Sequence, residues 1–117
     1  MKTAAEIFAE AKQRITEVSP AQVGEMLRRG DDVAVIDVRE PNEWNLGHLP
    51  GAMHIPRGVL ESGIEPRVPR ERKVVLYCAS GNRSALAAET LGMMGYGDVA
   101  SMAGGFRGWC ESGGDVE

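Results

Sequence analysis

Only two cysteines and two histidines occur in the 117 residues, which leaves little from which to build a metal centre. Cys78 and Cys110 lack CxxC spacing, and two histidines do not complete a zinc set, so neither a metal nor a cofactor is expected. A disulfide framework is not expected either, because a chain of this length builds its own core and a reducing compartment would open the bond. No apolar run is long enough to cross a membrane. The formal net charge is −4 without a block of like charge, which speaks against nucleic acid or an anionic membrane as partner. The first residues, Met1-Lys2-Thr3-Ala4-Ala5-Glu6, have no apolar stretch of a secretory signal and carry an acid that a transit peptide avoids, so the expected location is the cytoplasm.

What is present reads as one domain of alternating strands and helices. Thr3-Ala4-Ala5-Glu6 is a capping box, and Ile7, Phe8, Ala11 and Ile15 fall on one face of the helix it starts. That helix is expected to cover an edge or face of a sheet, with a dimer contact as the alternative. Ile15–Val18 alternates as a short strand. Ser19, Pro20 and Gln22 then start a second helix that runs to about Arg29, with Gly30 at the C′ position. Val33–Val38 is nearly continuous in apolar residues, as in a central parallel strand, and Asp37 interrupts it. A carboxylate there lies where open α/β sheets place their ligand crevice; it either orients an active-site group or accepts from nearby backbone N–H groups.

Pro41 suits the first turn of a short helix, Met53–Ile55 a third strand, and Arg57–Arg72 a surface connection with one helical turn. Lys73–Tyr77 is a fourth strand, a helix follows to about Met94, and Asp98–Met102 is a fifth strand. Phe106–Cys110 forms a last helical turn or two, and the polar Glu111–Glu117 tail is expected to be loosely held. Strands alternating with helices imply right-handed crossovers and an α/β fold with a parallel five-stranded sheet covered on both faces.

Chemistry concentrates at Cys78-Ala79-Ser80-Gly81-Asn82-Arg83-Ser84, between the fourth strand and its helix. Loop N–H groups and a helix N-terminus converging on Cys78 favour an anion, hence a thiolate with a depressed pKa. The alternative for Cys78 is a small buried hydrophobe. Ala79 and Gly81 let the backbone curl, while Ser80, Asn82 and Ser84 offer side-chain donors, Asn82 also suiting a left-handed turn and Ser84 a cap. Arg83 at a helix start calls for a negative partner: a substituent on the sulfur, a substrate oxyanion, or a carboxylate such as Asp37 or Glu40. Asp37 and Arg39 are supporting candidates. His48, between Gly47 and Leu49, is read as stabilising its loop rather than as a base for Cys78, and Cys110 as packing rather than a resolving thiol.

Four motifs in order carry a resemblance: Val35-Ile36-Asp37-Val38-Arg39-Glu40; Glu43-Trp44 with Gly47-His48-Leu49-Pro50-Gly51-Ala52; the Cys78–Ser84 loop; and Gly104-Gly105-Phe106 with Trp109. Over residues 15 to 117 the chain resembles single-domain rhodaneses, the thiosulfate sulfurtransferase-like family, with residues 1 to 14 as a helical extension. The resemblance implies a three-layer sandwich with a central parallel sheet, and a Cys78 persulfide that passes sulfane sulfur from thiosulfate or a low-molecular-weight persulfide to cyanide, a thiol, or a protein sulfur acceptor. It makes the His48 segment structural. Family members that use thiosulfate have further basic side chains outside the loop, whereas here only Arg83 in the loop is basic and the nearby segment carries Glu40 and Glu43, which points away from thiosulfate as a good donor. The rivals are a cysteine phosphatase, whose loop has five residues between cysteine and arginine against four here, and a non-catalytic binding or sulfur-relay module.

Overall fold

The computed structural model describes all of residues 1–117. Its elements are α1 (Ala4–Arg14), β1 (Thr16–Val18), α2 (Pro20–Arg29), β2 (Val33–Asp37), α3 (Pro41–Trp44), β3 (Met53–His54), α4 (Leu60–Ile64), β4 (Lys73–Tyr77), α5 (Asn82–Met93), β5 (Val99–Met102) and α6 (Gly105–Glu111). The five strands form one parallel sheet in the order β1-β5-β4-β2-β3. Helices cover both of its faces, which makes the expected three-layer α/β sandwich.

Strand periodicity assigns each residue to a layer. Val74 and Leu76 of β4 face one way and pack with Ala34, Ile36, Ala87, Ala88 and Leu91, under α5 and α4. Val75 and Tyr77 face the other way and meet Val23, Met26, Met102 and Trp109, under α2 and α6. Both helices predicted from capping boxes have them, at Thr3 with Glu6 and at Ser19 with Gln22, and α2 ends at Gly30 in the left-handed region (φ 72°). Several strand ends fall one residue inside their expected bounds, as fraying termini do.

Three expectations need correction. The helix α1 lies against α5 more than against the sheet, burying Ala11, while Ile7 stays exposed and Arg14 reaches Glu89. The 57–72 segment is more than a surface connection, because Leu60, Ile64 and Val68 are fully buried and close the core over β2 and β4. Nor is the tail loose. His48 and Glu117 exchange backbone hydrogen bonds (3.2 and 2.9 Å), and Trp109 Nε1 donates to the Asp115 carbonyl at 2.7 Å. Backbone pairing of this kind depends on no side-chain pattern, so composition alone reads as disorder.

The N-terminus of α6 docks directly onto the turn after β4, where Phe106 N–H donates to the Cys78 carbonyl (2.8 Å) and Arg107 N–H to that of Ala79 (3.1 Å). Gly105 makes this approach feasible: its φ is +59°, and a Cβ there would stand 2.5 Å from the Cys78 carbonyl oxygen. Gly105→Ala is therefore expected to lower stability by about 1–3 kcal/mol, the usual range for an overpacked site, read as a fall in the urea midpoint. An unchanged midpoint would show that α6 can back away from the loop without loss.

Candidate functional site

Strand β4 is central, and its C-terminal end delivers Cys78 to a turn that leads at once into α5. Gly81 takes φ +98°, and with it the backbone folds back over the sulfur. Gly81 N–H and Ser84 N–H both donate to Cys78 Sγ, at 3.2 and 3.3 Å, and Ser84 Oγ lies 3.5 Å away. The cysteine is a free thiol and only 1% exposed, so the sulfur forms the floor of the loop. Burial pushes its pKa up, but the Ser84 hydroxyl and the N–H groups of Ser84, Ser80 and Gly81 outweigh that and hold it below the ordinary thiol value.

Residues of the loop divide by position. Ser80 is exposed at its crest, Ala79 is half-buried, and Ser84 is fully buried beneath. Asn82 stands at the rim, bordering a hollow that it shares with Ala5, Phe8, Ala9 and Lys12 of α1. Arg83 turns outward and pairs with Glu43 on α3, Nη1 and Nη2 each 3.4 Å from a carboxylate oxygen. Glu43 also accepts from the Glu40 N–H at 3.1 Å. Burial alone would push the Glu43 carboxyl up; Arg83 and the Glu40 N–H bring it below its ordinary value.

Asp37 and Glu40, expected as possible partners of Arg83, do not fill that role. Asp37 is committed elsewhere: its carboxylate accepts from Arg39 N (2.8 Å), Nε (3.0 Å) and Nη2 (2.7 Å), both residues being buried. Arg39 Nη2 continues to the Gly47 carbonyl at 2.7 Å, and its guanidinium carbon lies 4.2 Å from the Phe106 ring centre. The pair thus ties the end of β2 to the 45–52 loop and to α6, behind the Cys78 loop. Tyr77 adds to the tie by accepting the Leu49 N–H on its hydroxyl at 3.1 Å.

The histidines brace as well. His48 and His54 both stack on Trp44, with ring centres 3.5 and 4.9 Å from it. His48 Nδ1 donates to the Leu49 carbonyl and His54 Nε2 to that of Arg39. Neither ring is hydrogen-bonded to Cys78. Cys110, expected to pack, is instead exposed on α6.

One residue outside every sequence motif joins the site. Ser101 of β5 is fully buried, and its hydroxyl lies 2.7 Å from that of Ser84. The one sequence signal for it is a hydroxyl in a strand position where the alternation calls for a buried side chain.

A model of the rhodanese-like domain matches residues 19–112. The chain belongs to the rhodanese-like family. Among curated relatives, the Mycobacterium tuberculosis protein named "Probable adenylyltransferase/sulfurtransferase MoeZ" is 36% identical over 95 residues, 80% of this chain. This chain spans only 24% of that protein's length. A sulfurtransferase from Allochromatium vinosum is 32% identical over 99 residues, covering 85% of this chain and 92% of the relative. A Rhodopseudomonas palustris structure, of unknown function and described as a possible tyrosine phosphatase, superposes with a TM-score of 0.90 at 36% identity. That match covers 100% of this chain and 96% of the other, so it includes α1, which precedes the rhodanese-like match.

The direction of the Cys78 shift sets a pH dependence. A thiol whose folded pKa is depressed contributes stability that is fully present above the unfolded value, about 8.5, and is lost as pH falls through the folded value. The ultraviolet thiolate absorbance of the parent, taken as a difference from Cys78→Ser, should titrate with a midpoint below the ordinary thiol value. A midpoint at or above that value would mean that burial prevails over the loop's hydrogen bonds.

Proposed function

We propose that this rhodanese-like domain is a sulfurtransferase in which Cys78 carries a sulfane sulfur as a persulfide. The observation that carries the reading is the convergence of Gly81 N–H, Ser84 N–H and the Ser84 hydroxyl on Cys78 Sγ. The family match and the relative named a sulfurtransferase support sulfur transfer in general. In the first half-reaction the Cys78 thiolate attacks the outer sulfur of a donor. The donor S–S bond breaks, its electron pair leaves with sulfite or a thiolate, and Cys78–S–S⁻ remains. In the second, cyanide or an acceptor thiolate attacks the terminal sulfur, the Cys78 S–S bond breaks, and the thiolate is restored. Each state of Cys78 is anionic, so fixed loop dipoles stabilise all of them without reorganising. A free thiol used in this way suits a reducing compartment such as the cytoplasm.

The donor this site favours is a low-molecular-weight persulfide rather than thiosulfate. Thiosulfate is a dianion, and the loop's one guanidinium, Arg83, is already paired with Glu43. A persulfide places a single charge in the loop and needs no free cation. The acceptor is a thiol, cyanide, or a partner protein that approaches the exposed Ser80 crest.

Phosphatase chemistry is the second reading, favoured by the description of the Rhodopseudomonas palustris neighbour. Against it stand the four-residue spacing from Cys78 to Arg83, one short of the phosphatase loop, and the pairing of the guanidinium with Glu43, which occupies the cation a phosphoryl group would need.

Intact mass spectrometry after incubation with glutathione persulfide should show a gain of one sulfur, removed by cyanide or reductant and absent in Cys78→Ser. Turnover of an aryl phosphate without any sulfur adduct would replace this reading with the phosphatase; neither result would leave a binding module. Glu43→Gln keeps an acceptor for the Glu40 N–H but releases Arg83, so kcat/KM for thiosulfate should rise about 3- to 5-fold, as expected for freeing one partly screened charge. The persulfide donor should change by less than about twofold on the same argument. An equal change for both donors would show that Glu43 does not select by charge.

A further inference from the structure

Parallel pairing of β4 with β5 sets Ser101 beside Leu76, two residues before the nucleophile. Met102 packs in the layer under α2 and α6, so Ser101 points to the opposite layer, beneath the first turn of α5. There its hydroxyl meets the Ser84 hydroxyl at 2.7 Å, which is the only hydrogen bond the Ser101 side chain makes. Ser84 Oγ in turn lies 3.5 Å from Cys78 Sγ, and both serines are fully buried.

Two orderings of the hydroxyl protons run as a continuous chain through Ser84, one toward the sulfur and one away from it. In one, Ser101 donates to Ser84 and Ser84 donates to the sulfur, so that every proton has an acceptor when the sulfur is an anion. In the other, a protonated Cys78 donates to Ser84 and Ser84 to Ser101. The Ser101 proton then has nowhere to go, and a buried donor without an acceptor is costly. The first ordering suits a negatively charged sulfur, which accepts far more strongly than a thiol, and the chain of two bonds strengthens the terminal donor.

Resting on the reading of Cys78 as the sulfur-carrying nucleophile, we propose that Ser101 is a positioning residue. Its hydroxyl fixes the proton of Ser84 toward Cys78 Sγ and presets the floor of the loop for an anionic sulfur, in the thiolate and again in the persulfide. Ser101 touches no substrate. It acts only through Ser84.

That last property gives the test. The Cys78 thiolate midpoint, measured by ultraviolet absorbance against a matched Cys78→Ser control, should rise by about half a unit in Ser101→Ala, roughly a threefold loss in the thiolate-to-thiol ratio at fixed pH. In a Ser84→Ala background the same Ser101→Ala change should move the midpoint no further. Ser101→Thr, which retains the hydroxyl, should keep the parent midpoint and serves alone if the alanine variant does not fold. An unmoved midpoint in Ser101→Ala, an equal rise with and without Ser84, or a rise in Ser101→Thr would each overturn the proposal. Because the titration uses no sulfur donor, its outcome is independent of the sulfurtransferase reading: absence of a persulfide in the mass measurement would sink that reading alone.

Discussion

A buried cysteine sulfur ringed by neutral hydrogen-bond donors is the constraint on which the rest of the structure depends. Cys78 is almost fully buried, and burial by itself would keep it a thiol. Offsetting that requires several donors aimed at one atom, which an unconstrained seven-residue turn would not maintain. The donors stay in place because each end of the turn is built into the sheet or a helix: Cys78 follows β4, and Ser84 already belongs to α5. A third support comes from α6, whose first N–H groups bind the Cys78 and Ala79 carbonyls and so fix the peptide planes that precede the loop.

Behind this stands a brace made of buried polar groups. Asp37 and Arg39 form an ion pair that water does not reach, and Arg39 also holds the Gly47 carbonyl while lying over Phe106. Breaking such a pair by removing one partner costs on the order of 3–5 kcal/mol, since the other charge is left uncompensated. Residues 45–52 are then pinned a second time by Tyr77 and a third by the Glu117 backbone. Trp44 between these segments stacks with both histidines, so the only two imidazoles in the chain serve the scaffold that carries Glu43.

How much of this was legible from residue order follows from the range of the forces involved. The β4–Cys78–α5 unit and the capped helices could be read because their determinants are local: an apolar run, a glycine turn, a Ser or Thr three residues before Glu or Gln. The partner of Arg83 could not. Which carboxylate meets it depends on the phase of the four-residue helix α3, which presents Glu43 rather than Glu40, while Asp37 is taken by Arg39 two residues on. Ser101 was hidden for a related reason, because it enters the site through the register of β5 on β4, some seventeen residues from Ser84, and register is a tertiary property. The tail and the 57–72 segment look like loops by composition, yet the first is tied by backbone pairing and the second by three apolar side chains spaced four apart.

On the proposed reading, the charge arrangement explains why dipoles more than a cation would hold the sulfur. A free guanidinium facing the sulfur would stabilise the thiolate, but it would bind a dianionic donor and retain a sulfite product by the same attraction. N–H and O–H dipoles act at short range and favour whichever singly charged sulfur occupies the floor. Pairing Arg83 with Glu43 offsets part of that long-range pull. The pair is about a third exposed on each side, and ion pairs of that kind are worth roughly 0–1 kcal/mol. On the proposed reading, Glu43 would grade selectivity without locking the site: a dianion could draw Arg83 from Glu43 at a small cost that a singly charged persulfide would not incur.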